Sequence, residues 1–276
     1  MNTARIRPPA VAGMFYPGQR DALADSVTAL LAQAKPANPA SPATPKALIV
    51  PHAGYIYSGA VAASAYATIA PLRQRIRRVV LLGPAHRVAL DGLALPQAEA
   101  FVTPLGSVGI DQNAAAQLLS LPQVSCSNAA HAEEHSLEVH LPFLQTILED
   151  FQLAPLVVGN ATAEEVAEVL EHLWGGPETL IVISSDLSHY LPYAAAQALD
   201  QRTAAHILAG EPLTEPNQAC GALPIDGLLL CARRHGLSSQ LLDLRKSGDS
   251  PAGRGDHSRV VGYGAFAFNE AASDVH

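Results

Sequence analysis

The sequence predicts an α/β protein with three layers, in which helices cover both faces of a mainly parallel or mixed central sheet. Short runs of Val, Ile and Leu that are continuous rather than alternating indicate strands buried on both faces. Longer segments with apolar residues at helical spacing separate these runs, as expected when helices connect parallel strands. The chain has 276 residues, 49% of them hydrophobic and 15% charged. This is enough apolar material for a single domain over residues 1–276.

The predicted elements follow one another in a regular order. The first helix is predicted in residues 19–34, where Leu23, Val27 and Leu30 recur at helical spacing. Residues 35–46 are rich in Pro, Ala and Ser and are predicted to form a surface loop, because too few residues precede them for a domain core. Six strands are then predicted, at 47–50, 78–82, 153–158, 179–184, 240–244 and 260–268. Helices are predicted near 59–70, 111–120, 134–149, 162–173, 193–209 and 223–235, and antiparallel strands are expected at an edge of the sheet.

Composition narrows the classes of partner and location. The formal net charge is −8 and no Lys/Arg-rich run occurs, so we expect no nucleic-acid partner. No stretch approaches the roughly 20 apolar residues of a membrane helix, so no membrane association is expected. The three cysteines form no CxxC pair and the N-terminus lacks the apolar core of a signal peptide. A cytoplasmic protein without a disulfide framework is therefore expected.

Polar side chains follow three of the predicted strands. His52 follows strand 47–50, His86 follows strand 78–82, and Asp186 and His189 follow strand 179–184. Because the carboxyl ends of parallel strands share one sheet edge, these side chains are expected to converge where α/β proteins place their active sites. Neutral imidazole is the commonest protein ligand for transition metals, so His52 and His86 are candidate metal ligands.

The segment EEHSLEVHLPFL is predicted to form a helix that carries His135, Glu138 and His140. His135 and Glu138 stand three residues apart and would share one helix face, from which they could support the metal ligands. The segment has neither the HExxH nor the HxxEH spacing, which excludes a metalloprotease of those types. Tyr55 could donate a hydrogen bond into the site or pack in the core.

Asp186 and His189 are also predicted to act as an acid–base pair. If SSDLSH turns helically, the Asp186 carboxylate can accept the imidazole proton of His189 and raise its basicity, although a Ser/Asp helix cap would also explain Asp186. Cys220 precedes a predicted helix, whose N-terminus would favour the thiolate. The sequence therefore predicts that Cys220 is the most reactive of the three thiols.

Several of these segments together resemble the Memo family, whose bacterial and archaeal members are also called AmmeMemoRadiSam system protein B. They are RPPAVAGMFYPG, PHAGYIYSG, LLGPAH, EEHSLEVHLPFL, SSDLSHY, ACG and GDHSRVVGYGAF, in the expected order across nearly the whole chain. The family is similar to class III extradiol dioxygenases, which are non-haem iron enzymes with an α/β fold. The resemblance implies a divalent metal held by His52, His86 and Cys220, with Asp186 and His189 beside it. Iron is the first expectation, and the cysteine thiolate would also suit copper or zinc.

Three functions are compatible with these residues. The first is a metal-dependent oxidoreductase distantly similar to the dioxygenases. The second is a non-enzymatic module that binds a peptide or small molecule, and the third is a zinc hydrolase with three protein ligands and an open position. The family's second name also implies a pathway link to a radical-SAM protein. Metal content distinguishes the three functions, since each expects a different metal or none.

Overall fold

A computed structural model describes residues 5–34, 44–215 and 217–270. The predicted surface loop at 35–46 lies largely outside these residues. Within them the strands are β1 (Ile6–Arg7), β2 (Pro45–Val50), β3 (Arg78–Pro84), β4 (Leu93–Leu95), β5 (Ala100–Thr103), β6 (Gly106–Gly109), β7 (Val124–Cys126), β8 (Gln152–Val158), β9 (Thr179–Ser184), β10 (His189–Leu191), β11 (Ser238–Lys246) and β12 (Val260–Asn269). The α-helices are α1 (Arg20–Gln33), α2 (Tyr55–Tyr66), α3 (Gln112–Leu118), α4 (Asn128–Ala132), α5 (Leu141–Ile147), α6 (Ala163–His172), α7 (Tyr193–Ala209) and α8 (Ala222–Arg234).

The central sheet is mixed, with a parallel middle. Its strand order is β10-β12-β2-β9-β3-β8-β4-β7, and β11 also pairs with β12, in antiparallel orientation. Strands β2, β9, β3 and β8 are parallel to one another, whereas β12 is antiparallel to β2 and β4 is antiparallel to β8. The predicted mixed sheet with antiparallel strands towards its edges is therefore confirmed. A separate small sheet joins β1, β5 and β6, none of which was predicted.

Two apolar layers cover the faces of the central sheet. Alternate residues of β2 point to opposite sides, so that Leu48 and Val50 pack with α1, α2 and α5, whereas Ala47 and Ile49 pack with α3, α6, α7 and α8. Each fully buried Val, Leu or Ile side chain stabilises the fold by roughly 1.5–3 kcal/mol relative to its exposed state. The predicted three-layer α/β/α arrangement is thus confirmed, and it explains why the middle strands are continuously apolar.

Two predicted helices differ in their limits. Helix α2 begins at Tyr55, four residues earlier than predicted, directly after the His52 turn. The helix predicted at 134–149 was wrong in its first turn, because residues 133–137 are not helical and a 3₁₀ turn at Glu138–His140 precedes α5. The backbone there is held instead by Ser136, whose N–H donates to Glu134 and whose hydroxyl donates to the Pro84 carbonyl. His135 and Glu138 therefore do not share a helix face.

Among the described residues, no helix is both long enough and apolar enough to cross a membrane.

Candidate metal centre

The site is built on three adjacent strands at the centre of the sheet. Strand β9 lies between β2 and β3, with Val50 beside Ser184 and Leu82 beside Ile183. All three strands run in the same direction, so the residues that follow them emerge at one edge. These residues include His52 after β2, His86 after β3 and Asp186 after β9. The predicted convergence of strand ends is confirmed for these three residues.

Asp186 forms hydrogen bonds both to the turn after β2, which contains His52, and to the segment that carries Cys220. Its Oδ1 accepts a hydrogen bond from the His52 backbone N–H at 2.8 Å, and its carbonyl accepts one from the Cys220 N–H at 3.2 Å. Gly221 allows this approach, since a Cβ at that position would lie 2.7 Å from the Ser184 carbonyl oxygen. The Cys220 Sγ consequently lies 3.4 Å from His52 Nε2.

The neighbours of His52 determine which ring nitrogen carries its proton. Its Nδ1 lies 2.6 Å from the Ser184 Oγ, and that hydroxyl donates its own proton to the Ser136 carbonyl. The hydroxyl must therefore accept from His52, which places the imidazole proton on Nδ1 and leaves the Nε2 lone pair facing Cys220. Burial, and then the neighbouring histidines, hold the pKa of His52 well below its usual range, so the ring is neutral.

Glu134 determines the position of the imidazole proton of His86, as Ser184 does for His52. One carboxylate oxygen accepts from His86 Nδ1 at 2.9 Å, and the other accepts from the His86 backbone N–H at 2.6 Å. Burial would raise the pKa of Glu134, but the hydrogen bonds from His86 and Ser136 outweigh it and lower that pKa to about 2. An ionised carboxylate only accepts, so His86 carries its proton on Nδ1 and its Nε2 is available as a ligand. Sequence reasoning missed Glu134, because no spacing distinguishes it from the adjacent Glu133.

His135 completes a cluster of three imidazoles. Its ring stacks on His86 with centroids 4.6 Å apart and lies edge-on to His52 at 5.4 Å. Phe15, from the N-terminal segment, packs on its other side at 4.8 Å. Burial lowers the pKa of His135 to about 4, so this ring too is neutral at pH 7. Phe15 also lines a separate cavity of about 740 Å³ whose walls include none of the three histidines.

The donor atoms of His52, His86 and Cys220 fit a transition metal. One ligand atom from each lies within 4.8 Å of the others, which is close enough for a common ion. In both histidines Nδ1 is held, by Ser184 and Glu134 respectively, so that Nε2 is the nitrogen left for a metal, the arrangement typical of metal-bound histidine. A second candidate set replaces His52 and Cys220 with Glu134 and His135. It fits less well, since the Glu134 oxygens already accept three hydrogen bonds.

The predicted Asp186–His189 pair is wrong in its geometry. Residues 185–188 are not helical, and His189 begins β10, where it pairs with Val261 of β12. Within the described residues, Asp186 and His189 share neither a hydrogen bond nor an ion pair; the Asp186 carboxylate serves the His52 turn instead. Burial raises the pKa of Asp186 to about 7, and burial lowers that of His189.

The other residues predicted to support the site, Tyr55, His140 and Glu138, form contacts away from the proposed metal ligands. The Tyr55 hydroxyl donates to the Val139 carbonyl at 2.7 Å, which corresponds to the core-packing alternative. His140 is buried, with its Nδ1 2.9 Å from the Tyr66 hydroxyl. Glu138 is fully buried and pairs with Arg7 of β1, so it anchors the N-terminal segment rather than supporting the metal ligands.

In metal-free protein we expect Cys126 to be alkylated before Cys220, the reverse of the order predicted from sequence. Cys126 is exposed, whereas burial, followed by the charge of Asp186, raises the pKa of Cys220 to about 12. Cys231 is buried and burial raises its pKa to about 12 as well. Because the thiolate is the nucleophile, Cys220 should react slower than Cys126 by a factor on the order of a hundred at pH 7. Brief iodoacetamide labelling followed by peptide mass spectrometry measures the order, and faster labelling of Cys220 would contradict it.

Comparison with known proteins identifies relatives over almost the full length. A family profile described as Memo-like protein matches residues 7–267. A MEMO1 family protein of Aquifex aeolicus is 35% identical, with 96% of this chain and 99% of the relative covered. One from Nitrosopumilus maritimus is 31% identical, covering 95% and 99%. The crystal structure of the uncharacterized protein JW3007 from Escherichia coli K12 shares the fold, with a TM-score of 0.53 and 13% identity over 80% of this chain and 98% of that one.

Proposed function

Because the chain belongs to the Memo family, we propose that its pocket binds a divalent transition metal and that the protein is a metal-dependent oxidoreductase. His52 Nε2, His86 Nε2 and Cys220 Sγ are the proposed ligands. The observation that supports this most strongly is that both imidazoles have their protons fixed on Nδ1, beside a thiol 3.4 Å away. Iron is favoured by the family's resemblance to the extradiol dioxygenases, and copper or zinc would also accept a thiolate ligand.

The metal would exchange electrons with a bound small molecule or peptide. The chain's own residues would orient the metal ligands and transfer protons. Ser184 and Glu134 orient the two imidazoles through their Nδ1–H groups. Asp186, whose pKa lies at about 7, can hold or release a proton on its carboxyl group at neutral pH. His189 has a lowered pKa and can accept a proton as a neutral base. We also propose that the protein acts in the same pathway as a radical-SAM protein, as the family's second name suggests.

Elemental analysis of protein purified without oxygen tests the assignment. We expect about one iron or copper per chain, with an electron paramagnetic resonance signal that changes on oxidation. Zinc at that stoichiometry, with no redox-active metal, would support a hydrolase instead. Protein that binds none of these metals with useful affinity would support a binding module and overturn the oxidoreductase proposal.

The thiolate ligand has a separate spectroscopic test. Loading the metal-free protein with Co²⁺ should produce thiolate-to-cobalt charge-transfer absorption, and the Cys220→Ser variant should lose at least about nine-tenths of it, because the hydroxyl cannot replace the soft sulfur ligand. Cys126→Ser is the matched control, since Cys126 is exposed and belongs to neither candidate ligand set. A band of unchanged intensity in Cys220→Ser would exclude the cysteine as a ligand.

A further inference from the structure

A cavity of about 740 Å³ lies between helices α1 and α2. Ser26, Leu30 and Gln33 line it from α1, where residues three and four apart share one helix face. Residues 13–17 and parts of the segment 245–252 form its other walls, together with the first two turns of α2. This volume is within the range of small-molecule sites in proteins. We name this feature the α1–α2 cavity.

The walls of the α1–α2 cavity are held in place by contacts within the fold. Helix α2 packs closely on α1 at Gly59, where a Cβ would lie 2.9 Å from the Leu30 Cδ1 atom. The Tyr55 N–H donates to the Phe15 carbonyl at 2.8 Å, which joins residues 13–17 to the start of α2. The cavity is therefore largely preformed, as small-molecule sites usually are.

Aromatic and exposed apolar side chains are concentrated in this cavity. Only 5% of the chain is aromatic, yet the lining includes four aromatic residues, which are Phe15, Tyr16, Tyr55 and Tyr57. Among the described residues, eight large apolar side chains are exposed to solvent, and three of them line the cavity: Met14 at 72%, Ile56 at 64% and Tyr57 at 38%. Single exposed apolar side chains are ordinary, but a cluster of them around one cavity marks a binding site. Aromatic walls favour an aromatic ligand, because ring pairs gain stabilisation beyond the burial of area.

The charged side chains of the lining already have partners among the described residues. Arg245 forms an ion pair with Asp243, with 2.7 Å between nitrogen and oxygen. The Lys246 ammonium group lies over the Tyr193 ring, 4.7 Å from its centroid. Asp249 accepts hydrogen bonds from the Tyr193 hydroxyl at 2.7 Å and from the Lys246 backbone N–H at 2.8 Å. A charged ligand would therefore lose its hydration in the cavity without meeting an unpaired counter-charge, so an uncharged ligand is favoured.

One hydroxyl group in the lining is left for a ligand. Ser26 is half-buried on α1, and its hydroxyl forms no hydrogen bond with another of the described residues. A serine inside a helix can donate to the carbonyl four residues earlier, but Ser26 does not do so here. Its hydroxyl can both donate and accept, so it matches a ligand hydroxyl group.

We infer that the α1–α2 cavity binds an uncharged aromatic molecule that carries a hydroxyl group. The rings of the ligand lie against the aromatic side chains of the lining, and its hydroxyl forms a hydrogen bond with Ser26. None of the three proposed metal ligands lines the cavity. The inference therefore goes beyond the proposed function and does not depend on it.

Four probes titrated into the full-length protein as purified, while amide NMR spectra are recorded, test the inference. Naphthalenemethanol, naphthoate and naphthylmethylamine share one ring system and differ in charge, whereas octanol has the hydroxyl without the rings. We expect naphthalenemethanol to bind at least about tenfold more tightly than either charged probe, because a charge without a partner opposes transfer from water. It should also bind at least about threefold more tightly than octanol. Equal or tighter binding of any of the other three probes would overturn the inference.

A substitution that fills the cavity provides the matched comparison. Ala60→Trp on α2 places a large side chain in the lining and should weaken the binding of naphthalenemethanol at least about tenfold. Ala195→Trp makes the same change at an exposed position of α7 outside the lining, and affinity should stay within about twofold. Ile56→Lys tests the cavity from an exposed position that places the fold at little risk, and Leu208→Lys on α7 is its control. Equal affinities in Ile56→Lys and Leu208→Lys, or shifts confined to residues outside the lining, would contradict the inference.

Removing the Ser26 hydroxyl tests the polar contact. Ser26→Ala should weaken the binding of naphthalenemethanol about three- to tenfold, because one hydrogen bond between neutral groups is lost. Methylnaphthalene has no hydroxyl group, so its affinity should stay within about twofold. An equal change for the two probes would show that Ser26 does not bind the ligand hydroxyl, and the inference would fail in that part.

Discussion

Replacing His52 with alanine should raise the dissociation constant for the bound metal by more than about a hundredfold. Loss of a residue that merely orients a ligand typically costs 10–100-fold, and loss of the ligand itself should cost more. His52 is 2% exposed and supplies the Nε2 that lies nearest the Cys220 thiol. Competition with a chromogenic chelator measures the constant, and circular dichroism shows whether the fold persists.

Three other variants test whether the loss of metal affinity is specific to the proposed ligands. His86→Ala removes a second proposed ligand at a position that is 27% exposed, so it should lose metal with less risk to the fold. Ser184→Ala keeps all three proposed ligands but removes the acceptor that fixes the His52 proton, and about 10–100-fold weaker binding is expected. His189→Ala should retain wild-type affinity, because His189 belongs to neither candidate ligand set. Loss of metal in His189→Ala but not in His52→Ala would show that His189, and not His52, is a metal ligand.

Replacing Glu138 with glutamine should reduce the free energy of unfolding by about 3–5 kcal/mol, the usual result of breaking a buried ion pair from one side. Glu138 is fully buried and ion-paired with Arg7. Its oxygens also accept from the Ala10 N–H at 2.7 Å, the Val11 N–H at 3.0 Å and the Tyr16 hydroxyl at 2.5 Å. Glutamine would turn an amide donor towards these donors and leave the Arg7 charge uncompensated.

The matched control is Glu149→Gln, which breaks the exposed pair with Arg73. That change should have little effect on the free energy of unfolding, because solvent screens an exposed ion pair. Urea unfolding followed by circular dichroism compares the two variants, and a melting temperature lower by roughly 10 °C is expected for Glu138→Gln. Equal, small losses in both variants would show that the N-terminal segment is held by other contacts.

The strands in the middle of the sheet could be predicted from the sequence, whereas the short strands at its margins could not. Strands β2, β3 and β9 are buried on both faces, so their continuous apolar runs identified them and placed His52, His86 and Asp186 at one edge. Strands of two to four residues, such as β1, β4 and β7, contain too few residues to show any periodicity. Their existence depends on neighbouring strands that are distant in sequence.

The errors in the site have a similar cause. Ligand types can be inferred from chemistry, but the partners of those ligands depend on the paths of loops. Glu134 reaches His86 only because the 134–137 segment is not helical and packs closely on β3, where a Cβ on Gly83 would lie 2.7 Å from the Ser136 hydroxyl. Glu138 was assigned to the metal centre because its true partner, Arg7, is 131 residues away.

The contact between Cys220 and His52 spans 168 residues, and the one between His86 and Glu134 spans 48. Contacts between residues this distant in sequence form more slowly than local contacts. During synthesis the two histidines and Glu134 leave the ribosome well before the segment with Cys220. The full set of proposed ligands is therefore complete only after Cys220 has been added to the chain. Once the set is formed, any binding energy gained there adds to the stability of the whole fold rather than to one local segment.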